Sequence, residues 1–145
     1  MNAIKYFLVL VFFALSVGCS TTPTPSSEAI PTPKDRVLAF QDKSADKTSV
    51  IVVTRDQGFV GGGCFYAVSI DSILSARLDV SERAQFYLAP GEHLLKAGRD
   101  PQGGGLCGLG SDMWVQRETT LKAGETKYFR FSIDMNGTPD IHRAD

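Results

Sequence analysis

The sequence predicts an all-β fold, a small β-sandwich or barrel of seven or eight short strands. Three observations predict it. β-Branched and aromatic residues alternate with polar ones, turn signals recur every 8–12 residues, and neither a heptad nor an internal repeat is present. Residues 36–40 form a short first candidate strand. Residues 48–54 (TSVIVVT) are β-branched at nearly every position, as in a central strand buried on both faces. Residues 64–70 and 73–78 flank Asp71-Ser72, a two-residue link that reads as a hairpin turn. Residues 85–89 lead into Pro90-Gly91, and residues 93–97 return from it. Residues 114–121 and 126–133 surround Ala123-Gly124-Glu125 and read as a third hairpin. There Lys127, Phe129, Phe131 and Ile133 alternate with Tyr128, Arg130 and Ser132, as a half-buried strand should. A helical turn fits residues 81–83, although nothing demands one. Residues 134–145 hold little apolar side chain and predict a partly flexible tail.

The 145 residues carry a net charge of −1 and three cysteines. That length fits one domain. The charge excludes a broad nucleic-acid-binding surface, which needs clustered Lys and Arg. Three cysteines are too few for a disulfide-dense miniprotein or a Cys₄ zinc site.

Composition changes sharply along the chain. The first 18 residues hold 14 apolar ones, and Lys5 is their single charge. An unbroken apolar run of ten residues, 6–15, is too short to span a membrane and matches a signal-peptide h-region. Ser16-Val17-Gly18-Cys19 follows and resembles the lipobox of bacterial lipoproteins, with Ser16 where Leu is usual. The resemblance implies that residues 1–18 are a lipoprotein signal peptide. It implies that Cys19 carries a diacylglyceryl thioether and a further acyl chain such as palmitate. Two or more chains hold a protein firmly to a bilayer. Ser20 stands where inner-membrane retention would want Asp, which implies the outer membrane, facing the periplasm. Four of the seven prolines fall in residues 20–34 (STTPTPSSEAIPTPK). Residues 19–34 therefore read as the lipidated cysteine and a disordered tether, with a reach of about 40 Å. The folded domain is expected over residues 35–145.

Three turn-bearing segments carry a family resemblance. Val68-Ser69-Ile70-Asp71-Ser72 is similar to a Val-x-Val-Asp-Gly hairpin, and Leu88-Ala89-Pro90-Gly91-Glu92-His93-Leu94-Leu95 to a Leu-x-Pro-Gly-x-His-x-Leu return. Leu121-Lys122-Ala123-Gly124-Glu125-Thr126-Lys127-Tyr128-Phe129 is similar to a closing Leu-x-Ala-Gly hairpin. Together they resemble a family of small bacterial lipoproteins carrying a domain of unknown function. That likeness covers about residues 36–133. It implies a PEGA-like, transthyretin-like or immunoglobulin-like sandwich, and it transfers no catalytic residue. Ser72 departs from the family's Gly, so a turn needing positive φ there is strained, and a different turn type is an alternative.

In an oxidising periplasm Cys64 and Cys107 are expected to form a disulfide. Eight of the fourteen glycines lie beside them, in residues 61–63 and 103–110. These glycines serve either to bring two loops together around the bridge or to frame a partner-binding rim. In the second case Leu106, Leu109, Met113 and Trp114 supply the apolar contacts. No Gly-Lys-Ser/Thr phosphate loop, Gly-x-Ser-x-Gly elbow or His-Glu-x-x-His motif is present. His93 and His142, 49 residues apart, make no convincing metal set. No cofactor, metal or catalytic residue is expected. The sequence reads as a non-enzymatic, lipid-anchored module that contacts an envelope protein or the cell wall. The alternatives are an inhibitor or sensor subunit of a periplasmic enzyme, or a small periplasmic enzyme.

Overall fold

The computed structural model describes residues 21–103, 105–109 and 112–144. The signal segment 1–18 and Cys19 lie outside the described residues. In chain order the strands are β1 (Ile30–Pro31), β2 (Ser49–Arg55), β3 (Tyr66–Ile70), β4 (Ile73–Leu78), β5 (Glu82–Leu88), β6 (Gly91–Arg99), β7 (Trp114–Leu121), β8 (Thr126–Ile133) and β9 (Pro139–Arg143). They form two sheets, ordered β1-β5-β2-β8-β9 and β4-β3-β6-β7. The fold is an all-β sandwich. Strand β2 is the centre of its sheet, antiparallel to β5 and parallel to β8, as its β-branched composition predicts.

Alternation decides which side chains meet between the sheets. Ile51 and Val53 of β2, Phe86 of β5, and Phe129, Phe131 and Ile133 of β8 are buried against Tyr66, Val68, Ile70, Leu95 and Ala97. The rings of Tyr66 and Phe131 join the two layers with centroids 5.2 Å apart. Beside β7 the apolar seal gives way to long cations. Arg117 Nε donates to Ile141 O at 3.1 Å, and Lys127 Nζ donates to Thr120 O at 2.5 Å.

Several expectations need correction. From Thr21 onward the proline-rich segment is docked on the sandwich instead of hanging free. Thr22 and Gln57 exchange main-chain bonds of 2.7 and 3.1 Å. Thr24 N donates to Asp56 Oδ1, and β1 runs parallel to β5 with Ile30 opposite Glu82. The physical reason is that Ser and Thr hydroxyls and an extended backbone can join an existing sheet edge without an apolar face of their own. The candidate strand at 36–40 is a 3-10 turn (Lys34–Arg36) followed by a single bridge from Val37 to Ala76.

Two expected hairpins are crossings between sheets. Strand β5 pairs with β2 along its length and with β1 at Glu82 and Arg83, and after Pro90-Gly91 the chain crosses over to pair β6 with β3 in the other sheet. Likewise β8 lies between β2 and β9, so β7 pairs with β6 and not with β8. The Asp71-Ser72 turn is a true hairpin and does place both residues at positive φ (51° and 68°), so no other turn type replaces it. The tail is ordered as β9 along β8, and Ile141 is fully buried. Five residues in register with β8, with Pro139 and Ile141 turned inward, dock it.

Candidate functional site

Strand β2 delivers the chain into a loop of residues 56–65, and β6 into a loop of residues 100–113. Cys64 and Cys107, 43 residues apart, join these loops through a disulfide with Cα atoms 5.4 Å apart. Behind the bridge lies Arg55, the last residue of β2, almost completely buried. Its Nη1 donates to Cys64 O at 2.8 Å and to Leu78 O at 2.9 Å, and its Nη2 to Gly61 O at 2.7 Å. The guanidinium also lies 4.6 Å from the Tyr66 ring centroid. Removal from water pulls its pKa down from the ordinary guanidinium value to about 10, so it stays charged at neutral pH. A loop with few side chains to pack is thus held through its carbonyls from within the core.

Gly61 completes this packing. Its φ is +72°, and a Cβ there would lie 2.8 Å from Ile133 Cδ1. The second loop is fixed by residues at the end of β6. Arg99 Nη1 donates to Leu109 O and, at 3.4 Å, to Leu106 O. Asp100 is buried, 3.1 Å from Arg77 Nε, and accepts Gln102 N at 3.0 Å. Residues Gly105–Gly108 make a 3-10 turn around the bridged cysteine.

The restrained loops present apolar side chains to water. Phe59 is 94% exposed, Leu106 80% and Leu109 62%. Met113 and Phe65 are partly exposed, and Phe65 carries Arg36 over its ring at 4.4 Å. Trp114 is half-buried, because Gly98 opposite it leaves room: a Cβ there would lie 2.7 Å from Trp114 Cδ2. Of the four rim residues read from the sequence, Leu106 and Leu109 therefore face solvent, Met113 lies at the margin, and Trp114 packs on the sheet. Phe59 was not singled out by sequence reasoning. Its only signal is a lone aromatic between Gly58 and the Val60-Gly61 pair. Arg55, a cation closing a β-branched run, carries no sequence signal of its role. Residues 57–65 and 103–113, twenty in all, contain a single charged residue, Asp112.

The histidines lie elsewhere. His93 Nδ1 is 2.7 Å from Asp71 Oδ2 and its Nε2 is 2.9 Å from Ala89 O, so both ring nitrogens tie one turn to the next. His142 lies 3.3 Å from Asp140. Among the described residues no three His, Cys, Asp or Glu side chains converge on a possible metal position. What the loop end offers is apolar surface and main chain on a rigid support. No protein-family model matches the chain, and no curated protein is significantly similar to it.

Proposed function

We propose that this chain is a non-enzymatic, membrane-anchored lipoprotein of the bacterial envelope, a contact module whose working surface is the disulfide-joined loop end. The observation that carries the reading is the exposure of Phe59, Leu106 and Leu109 on loops that Arg55, Arg99 and the bridge hold in place. Apolar side chains cost solubility when displayed to water, and a fold that fixes them there has a use for them. A non-catalytic role is supported by how the reactive groups are spent: two cysteines lie in the bridge, and His93 is held by both ring nitrogens. The anchor rests on the Ser16-Val17-Gly18-Cys19 lipobox resemblance.

Metabolic labelling with radioactive palmitate checks the anchor: the full chain takes up label and its Cys19→Ala variant does not. Equal labelling in both overturns it. In-cell photo-crosslinking checks the surface. A photoreactive residue at Leu106 or Leu109 captures an envelope component, whereas one at Lys122, in the turn before β8, does not. Equal yields from all three positions defeat the assignment.

A further inference from the structure

We infer that the loop end is pressed into the bilayer that holds the anchor, with Phe59, Leu106 and Leu109 entering the interfacial region; this rests on the lipid anchor proposed above. Thr22 is laced to Gln57 by two main-chain bonds, and Thr21 N donates to Ile133 O at 3.1 Å. Gly58 is packed so tightly on Thr21 that a Cβ at Gly58 would lie 2.9 Å from Thr21 Cα. Phe59 is the next residue. Thr21 is only two residues beyond Cys19, a distance that even a fully extended chain limits to about 7 Å. A spacer of fifteen free residues would let the domain stand away from the membrane. A segment docked from Thr21 does not.

The acyl chains thus enter the bilayer beside the end of the sandwich that displays Phe59, Leu106 and Leu109. The chemistry of that end fits the occupant. Residues 57–65 and 103–113 hold one charge, Asp112, and the two further loop carboxylates, Asp56 and Asp100, are already buried, so little has to be dehydrated on entry. Moving a Phe or Leu side chain out of water is favourable. Tethering makes each insertion intramolecular, so modest per-residue gains suffice. The far end, with the Asp71-Ser72 turn and the Lys122–Glu125 turn, would then face the periplasm.

Trp114 is the sole tryptophan and begins β7 at this end, so it reports directly. The lipidated full chain is reconstituted into phosphatidylcholine vesicles with and without bromine on the acyl chains, and Trp114 emission is compared. Vesicle flotation is measured in parallel. The expected result is retention on the vesicles with brominated lipid quenching at least half of the emission. A Phe59→Ser/Leu106→Ser/Leu109→Ser variant keeps flotation and loses the quenching. Circular dichroism of the variant matching the parent chain shows that the loss is not unfolding; a variant that unfolds is replaced by Leu109→Ser alone. Retention without quenching overturns the inference while leaving the anchor standing. So does unchanged quenching in the folded variant, or crosslinking from Phe59 to protein in place of phospholipid. Loss of flotation in the parent chain removes the anchor reading itself and the inference with it.

Discussion

At the residue scale, the informative side chains are polar ones inside an apolar frame. Arg55 is paired with carbonyls, and the three bonds it donates are charge-assisted, each worth more than a neutral one. Arg55→Leu is expected to lower stability by about 3 kcal/mol, read from urea unfolding, because three carbonyls lose their donor. Arg55→Lys restores little, since an ammonium cannot span carbonyls that a planar fork reaches together. The sign of the pH effect follows from the lowered pKa. Above about pH 10 the folded chain gives up this proton before the unfolded chain does, so this residue's cost is relieved only as pH rises past that value. It therefore adds no slope to stability between pH 6 and 9. Ser72 is a second informative position. It holds φ at +68° beside Asp71 at +51°, a pair that type I′ turns meet best with glycine second. Ser72→Gly is expected to stabilise by about 1 kcal/mol, seen as a higher thermal midpoint. Asp71 should be left in place, since its carboxylate takes Leu94 N at 2.9 Å as well as His93.

At the element scale, the two loops and the two terminal segments decide the molecule's character. The bridge closes a loop of 43 residues, and in the chain-entropy account this stabilises by about 4 kcal/mol. A Cys64→Ala/Cys107→Ala variant is expected to lose roughly that amount in denaturant titration, with amide exchange rising first at residues 61–64. The tail makes a matching case at the other end of the sequence. Ile141 is fully buried against β8, so Ile141→Ala is expected to cost about 3 kcal/mol, whereas a frayed tail would give almost no change. The proline-rich segment adds a strand to β5 through main-chain bonds, and Arg36 reinforces that edge with a two-bond clasp on Glu82, at 2.7 and 2.5 Å. Burial of Asp56, which accepts from both Thr24 N and Arg130 Nε, fixes the same segment over β2 and β8.

At the scale of the whole molecule, the sandwich is polarised. One end gathers the bridge, the glycine-rich loops and the docked segment that begins at Thr21. The opposite end gathers tight turns capped by carboxylates. The docked segment gives residues 21–34 a fixed place on the sandwich instead of a free reach.

Fold class was legible because it depends on local alternation. The buried series Phe129, Phe131 and Ile133 can be read straight from the sequence. Leu106 and Leu109 were legible as loop residues for the same reason, since glycine-rich stretches bury nothing. Strand partners were not, because the pairing of β6 with β3 carries the chain from one sheet to the other, a property of the assembled sandwich. The docking of residues 21–34 was equally hidden. Ser, Thr and Pro form no core of their own, so their order comes entirely from the sheet edge they meet. Arg55 is the sharpest instance: charge and position in the sequence imply exposure, and only three converging carbonyls make its burial tolerable. By itself, the sequence determined the alternation that makes strands and the cysteines available to pair. Tertiary structure alone decided which edges were free, and with them which segments are docked and which side chains face water.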